Sequence, residues 1–141
     1  MAYKVFIDTN ILVDFLDEER ENHLSSVKLF DYLEQQKIQG YFSESVVNTA
    51  SYITKKIASP KAFMTVLEDL LFFINILPCS STIVKDAYKN AKNDLEDAVL
   101  YQIALAGKMD YFITSNIKDF KKLERASLPV VSAKKMIDIL N

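Results

Sequence analysis

Glycine, proline, cysteine and histidine are all scarce in this sequence of 141 residues. It contains two glycines, three prolines, one cysteine, one histidine and no tryptophan. So little glycine and proline leaves little room for flexible linkers, and no repeat is visible, so we expect a single domain over residues 1–141. The lone Cys79 excludes an internal disulfide, which fits a reducing compartment, and the lone His23 excludes a histidine cluster.

Signals for export and for membrane insertion are also missing. The first residues, MAYKVFIDTN, contain no apolar core of a signal peptide. The longest apolar stretch, residues 63–78, is interrupted by Glu68 and Asp69 and is too short to span a bilayer. We therefore expect a cytoplasmic protein with no membrane segment. The net charge of −2 does not by itself indicate nucleic-acid binding.

Short apolar segments alternate with helical patterns along the chain. The predicted strands are residues 4–7, 40–42, 74–77, 111–114 and 130–131. The predicted helices are residues 11–16, 23–37, 46–57, 61–72, 81–90, 95–108 and 133–140. This alternation predicts a three-layer α/β/α domain around a central parallel sheet of four to five strands. In such sheets, ligands bind beyond the carboxyl ends of the strands.

Three groups of polar residues are candidates for chemistry at that edge. Asp8 directly follows the first strand, where it is either a functional carboxylate or an N-cap of the next helix. Asp94 and Asp97 lie three residues apart at the start of a helix, which places them on one face. Acidic residues favour helix N-termini in any case, and Asn93 with Glu96 resembles a capping box. We expect Asp97 to be partly buried, because it borders apolar positions of its helix.

Polar side chains also follow the fourth strand. Thr114, Ser115 and Asn116 come directly after it, and Asp119 and Phe120 lie just beyond. This segment is either a simple loop or a source of oxygen ligands for Mg²⁺ or Mn²⁺. Carboxylates gathered at one edge would raise each other's pKa unless a cation compensated them, so convergence of these groups predicts a divalent metal site.

Three segments, FIDTNILVDFL, DLEDAVLYQIALAGKMDYFITSNIKDF and LPVVSAKKMI, together resemble a PIN domain, with the nearest likeness to the VapC-like toxin ribonucleases. Their order and spacing match over nearly the whole chain. The resemblance implies a ribonuclease that hydrolyses single-stranded RNA with Mg²⁺ or Mn²⁺, and it implies a homodimer that binds a small antitoxin protein. It also implies in-line attack by water, which leaves a 5′-phosphate on the product.

The same resemblance assigns roles to individual residues. Asp8 and Asp97 fall on the metal-binding acids, and Asp94 falls on an accessory acid. The residues implied to complete catalysis and to position water or substrate are Asn116, Thr114, Asp119, Asn10 and Thr49.

Thr49 marks a departure from the family pattern. Family members usually carry a glutamate six residues after a serine that corresponds to Ser43, and many carry an acid where this chain has Asn116. Two of four family acids are therefore neutral, which predicts weaker metal binding. An alternative is a PIN-like module that binds RNA or protein with weakened catalysis. A phosphorylatable receiver domain needs an acidic pair after the first strand, and Asp8-Thr9-Asn10 lacks that pair.

Other side chains received more ordinary interpretations. We expect His23 to be a solvated helix residue and Cys79 to be a buried core residue. Basic residues after Asn116 either line an RNA path or form a solvated face, and these are Lys118, Lys121, Lys122 and Arg125.

Overall fold

The computed structural model describes residues 2–141, and its centre is one parallel sheet. The five strands lie in the order β3-β2-β1-β4-β5 and every neighbouring pair is parallel. They are β1 (Lys4–Ile7), β2 (Gln39–Ser43), β3 (Ile74–Leu77), β4 (Tyr111–Ile113) and β5 (Val130–Val131). The predicted three-layer α/β/α architecture is confirmed.

Eight α-helices within residues 2–141 flank the sheet. They are α1 (Thr9–Leu16), α2 (His23–Glu34), α3 (Glu44–Ile53), α4 (Pro60–Leu70), α5 (Ser81–Asn90), α6 (Leu95–Ala106), α7 (Ile117–Lys121) and α8 (Ala133–Leu140). None of the helices in this part of the chain is long and apolar enough to cross a membrane.

Several helix ends differ from the sequence prediction, and side-chain hydrogen bonds explain the clearest case. Helix α3 begins two residues early because the Ser43 hydroxyl accepts a hydrogen bond from the Val46 N–H at 3.4 Å. It ends early because a 3₁₀ turn follows over Thr54–Lys56, where the Thr54 hydroxyl donates to the Ala50 carbonyl at 2.8 Å. Helix α7 was not predicted at all, since five residues carry too little periodicity to stand out.

The sheet is buried on both faces, as its sequence pattern suggests. Val5, Phe6 and Ile7 of the central strand β1 are all fully buried. Gly40 on β2 allows α2 to pack closely on the sheet, because a β-carbon there would lie 2.6 Å from Leu33 Cδ2 of α2.

Strand β1 lies at the point where the strand order reverses. Strands β2 and β3 lie on one side of β1, and strands β4 and β5 lie on the other side. The register pairs Ile7 with Ile113, and the Asp8 N–H donates to the Ile113 carbonyl at 3.0 Å. The residues that follow β1 and β4 therefore flank the switch point, which is where ligands bind in open α/β sheets.

Candidate active site

Asp8 is a buried carboxylate at the carboxyl end of β1. Its exposed fraction is 2%, and its side chain makes no capping hydrogen bond although it occupies the N-cap position of α1. Burial raises the pKa of Asp8 from 3.8 to about 6, and the charge of Glu96 adds to that rise. The Thr114 hydroxyl opposes it by donating to Asp8 Oδ2 at 2.7 Å.

A chain of hydrogen bonds runs from Asp8 into the segment after β4. The Asn116 N–H donates to Thr114 Oγ1 at 2.9 Å, and Asn116 Nδ2 donates to Asp119 Oδ2 at 2.9 Å. Thr114 is fully buried, and its hydroxyl both donates and accepts. Burial and the hydrogen bond to Asp8 Oδ2 allow Thr114 to orient Asp8, and its predicted role in positioning water or phosphate remains a prediction.

Asp97 lies in the first turn of α6 and is half-buried. Its pKa rises from 3.8 to about 7, chiefly through burial and then through the neighbouring charges of Asp94, Asp8 and Asp119. Asp8 after β1 and Asp119 in α7 are therefore near enough to the start of α6 for their negative charges to raise the pKa of Asp97.

Asp94 is the N-cap of α6. Its Oδ1 accepts a hydrogen bond from the Asp97 N–H at 3.1 Å, so the expected capping box of Asn93 and Glu96 was wrong. The Asp94 side chain is exposed and keeps a second oxygen for other partners.

Aromatic packing positions α6 and α7 relative to the sheet. Phe112 of β4 contacts both Phe120 of α7 and Tyr101 of α6, with ring centroids 4.5 Å and 5.4 Å away. The Tyr101 hydroxyl donates to the Leu128 carbonyl at 2.6 Å and accepts from the Arg125 N–H at 2.9 Å. Asp97 lies one turn before Tyr101 and Asp119 directly precedes Phe120, so this packing holds both carboxylates in place.

A cavity of about 170 Å³ opens beside these acids. Its lining includes Asp94, Asp97 and Asp119 together with Lys92 and Lys122. Asp8 is buried and does not line this cavity, but its charge raises the pKa of Asp97.

Two predicted site residues stay apart from this network. Asn10 lies in the first turn of α1, and its N–H and that of Thr9 favour the charged form of Asp8 without forming a hydrogen bond of good geometry. Thr49 lies on α3, which packs against α1, and its side chain forms no hydrogen bond with another of residues 2–141. The role of Thr49 remains a prediction.

Sequence reasoning missed two charged residues near the site. Glu96 contributes negative charge to both Asp8 and Asp97, and Lys92 lines the cavity. The sequence did contain a signal for Glu96. Helix capping needs no more than one acidic N-cap residue, but Asp94, Glu96 and Asp97 supply three acids within four residues. Lys92 carried no signal, since it precedes α6 in an irregular segment.

The two residues that received ordinary interpretations also behave differently from expectation. Cys79 is exposed, because it lies in the connection after β3 and not in the core. His23 is half-buried, and its Nδ1 lies 2.8 Å from the Asp14 carbonyl oxygen.

Comparison with known proteins identifies the family. Residues 4–118 match the family model described as PIN domain. The chain belongs to the PIN domain family. Ribonuclease VapC1 of Aquifex aeolicus (strain VF5) is 34% identical to this PIN domain over 107 residues, which cover 72% of this chain and 73% of that protein.

Solved structures share the PIN fold at lower identity. The toxin–antitoxin complex from Klebsiella pneumoniae has a TM-score of 0.65 at 23% identity, covering 88% of this chain and 94% of that chain. VapBC2 from Rickettsia felis, solved bound to a DNA fragment from its promoter, has a TM-score of 0.65 at 18% identity and covers 92% and 98%. VapC20 of Mycobacterium tuberculosis, a toxin that cleaves the sarcin–ricin loop, has a TM-score of 0.63 at 10% identity and covers 77% and 86%.

The donor chemistry of this PIN domain's site fits the divalent metal that the family generally requires. Carboxylate oxygens are hard ligands, and burial and neighbouring acidic charge disfavour the ionised forms of Asp8 and Asp97, which a bound cation would favour. Among residues 2–141, no three histidine, cysteine, aspartate or glutamate side chains converge as a ligand group. An ion held here would therefore complete its coordination with water and substrate oxygens, as Mg²⁺ commonly does.

Proposed function

We propose that this chain is a metal-dependent endoribonuclease that cleaves single-stranded RNA, with Mg²⁺ or Mn²⁺ as the ion. The observation that carries the proposal is the Asp8 carboxylate, which is 2% exposed at the carboxyl end of β1, has no ion pair within residues 2–141 and lies near enough to Asp97 for its charge to raise the pKa of Asp97. Such a pair is costly for the apo fold and useful for holding a cation. Membership of the PIN family and the similarity to a relative named as a ribonuclease support the same reaction.

Each residue has a separate task in this proposal. Asp8 and Asp97 hold the ion, while Asp94 adds negative charge beside Asp97. Thr114 keeps Asp8 in one orientation through its 2.7 Å hydrogen bond. Asn116 donates to Asp119 Oδ2 at 2.9 Å, and the other Asp119 oxygen could accept a hydrogen bond from the attacking water. A divalent ion, when bound, lowers the pKa of water and neutralises the charge of the scissile phosphate.

We further propose that this ribonuclease acts as the toxin of a toxin–antitoxin pair. Two similar structures are described as a toxin–antitoxin complex and as VapBC2, which supports a small antitoxin protein as the partner. We also propose that the chain forms a homodimer, lies in the cytoplasm and folds as a single domain over residues 1–141.

Cleavage of a fluorescently labelled single-stranded RNA tests the nuclease proposal. We expect wild type to cleave with Mg²⁺ or Mn²⁺ and to stop when EDTA is added. Asp8→Asn and Asp97→Asn should each lower the rate at least about 100-fold, since losing a ligand costs more than losing a supporting residue. Asp110→Asn is the matched control, because Asp110 lies at the opposite edge of the sheet, where its carboxylate accepts from the Lys4 N–H at 2.8 Å.

The second candidate function is a PIN domain that binds RNA without cutting it. The small number of acidic ligands within residues 2–141 favours it, together with the neutral residues Thr49 and Asn116. RNA binding by wild type with no cleavage at any Mn²⁺ concentration would establish this alternative and exclude the ribonuclease.

A further inference from the structure

The acid-lined cavity continues into a second cavity along the surface. The second has a volume of about 230 Å³ and shares Lys92, Lys122 and Leu123 with the first. It extends past Tyr101 to Arg125, on the surface between α6 and the segment after α7. We call the two cavities together the basic groove.

Charge is distributed unevenly along the basic groove. The acids Asp94, Asp97 and Asp119 are confined to its first cavity, whereas Lys92, Lys122 and Arg125 continue through the second. All three cationic side chains are exposed. Lys122 has only a loose ion pair, with its Nζ 4.0 Å from Asp119 Oδ1.

The one acid of the second cavity is already neutralised. The Glu124 carboxylate accepts a hydrogen bond from the Val130 N–H at 2.6 Å and forms an ion pair with Lys121 Nζ at 3.0 Å. The second cavity, which is the part of the basic groove beyond the acids, therefore carries a net positive charge. Two neighbouring lysines therefore differ in their partners. Lys121 is paired with Glu124, whereas Lys122 lines the groove.

We infer that the RNA backbone next to the cleaved bond runs along the basic groove, with phosphates on Lys92, Lys122 and Arg125. This inference rests on the proposed function, since it takes the acids as the place of cleavage. A strand whose scissile phosphate reaches Asp97 must leave the first cavity, and the second is its cationic continuation. Phosphate contacts of this kind come mainly from lysine and arginine, and they position the strand without reading its sequence.

Fluorescence polarisation with a labelled single-stranded RNA tests the inference, using the full chain with Asp8→Asn in every variant so that no RNA is cut. Lys92→Gln and Lys122→Gln should each weaken binding about fivefold at 0.1 M salt. Each should also lower the slope of log affinity against log salt by about 0.7, the value for one phosphate contact on a single strand. Lys28→Gln is the matched control: it removes the same charge from an exposed position on α2 that lines neither cavity, and it should leave affinity and slope nearly unchanged.

The outcomes separate this inference from the nuclease proposal. If chains with intact Asp8 cleave RNA but Lys92→Gln and Lys122→Gln bind it like Lys28→Gln, the groove inference fails and the ribonuclease stands. If chains with intact Asp8 do not cleave RNA but binding still depends on Lys92 and Lys122, the groove stands and the ribonuclease fails. Equal weakening by all three lysine variants would mean that only net charge matters, and it would overturn the groove.

Discussion

Two aspartates near the start of the chain are equally buried but have neighbours of opposite charge. Asp8 and Asp14 each have an exposed fraction of 2%. Asp14, within α1, has a cation: its Oδ1 accepts from Arg20 Nε at 2.7 Å. Asp8 has neutral partners, the Thr114 hydroxyl and nearby backbone N–H groups, and the nearby charge of Glu96 is negative.

The difference distinguishes a structural charge from a functional one. A protein that buries a carboxylate for stability supplies the opposite charge itself, as Arg20 does for Asp14. A carboxylate left beside further acids is unfavourable until something from outside binds. The contrast therefore supports an external cation at Asp8 from the protein's own electrostatics, and each prediction below tests one side of it.

The largest expected effect is a fall in apo stability as the pH rises. The pKa of Asp8 is about 6 in the folded chain against 3.8 in the unfolded chain, so its protonated form stabilises the fold fully below pH 4. That contribution, about 3 kcal/mol, is lost as the pH rises through 6. Asp97, with a pKa near 7, acts in the same direction, but its half-exposed position makes its share smaller.

Urea unfolding in EDTA at several pH values measures this effect. Because other groups also titrate, the quantity to follow is the free energy of unfolding of wild type minus that of Asp8→Asn. We expect Asp8→Asn to gain on wild type by up to about 3 kcal/mol between pH 4 and pH 7. A difference that stays constant with pH would mean that Asp8 is balanced like Asp14.

Removing the cation from Asp14 should have the opposite sign. Arg20→Gln leaves a buried carboxylate without its ion pair, and we expect a loss of about 2 kcal/mol at pH 7. This is below the usual cost of breaking a fully buried pair, because the Arg20 side chain is 36% exposed. Urea unfolding again provides the measurement, with Arg20→Lys expected to recover part of the loss. If Arg20→Gln costs no more than the exposed-site control Lys28→Gln, Asp14 needs no cation.

Metal should stabilise the fold through Asp8 and leave the Asp14 pair unaffected. Mn²⁺ at ten times its Kd should add about 1.4 kcal/mol, which raises the Tm of a chain this long by roughly 3–5 °C. Asp97→Asn should reduce that shift, whereas Arg20→Gln should keep it from a lower starting Tm. Thermal unfolding with and without Mn²⁺ decides the matter, and identical curves for wild type would favour the non-cutting RNA-binding domain.

The same pair of aspartates shows what the sequence could predict and what it could not. The alternation of strands and helices predicted the sheet, and with it the position of Asp8 at a carboxyl end. The 2.7 Å bond between Thr114 and Asp8 depends on β4 lying beside β1, which no local pattern encodes. Arg20 escaped notice for a related reason, since its partner Asp14 is buried by helix packing that becomes visible only in three dimensions.

Local hydrogen bonding also decided details that residue types alone left open. Both Asn93 and Asp94 are good N-caps, and only the backbone geometry shows that Asp94 takes the role. Family resemblance selected Asp8 and Asp97 because it encodes the tertiary arrangement indirectly, and their role as metal ligands remains a prediction. It gave no information on Lys92, whose place in the basic groove depends on how α6 packs beside the segment after α7.

The smallest expected effect concerns the family acid that this chain lacks. Thr49→Glu adds a carboxylate on α3, which packs against the α1 helix that follows Asp8. We expect it to tighten Mn²⁺ binding roughly fivefold, or about 1 kcal/mol, and to raise RNA cleavage at limiting metal, because another oxygen ligand strengthens cation binding. Without metal it should destabilise the fold, since it adds a like charge near Asp8. Thr49→Gln is the matched control of the same size, and Asp8→Asn should remove activity in every background. Equal Mn²⁺ affinity for Thr49→Glu and Thr49→Gln would show that position 49 lies too far from Asp8 to join the site.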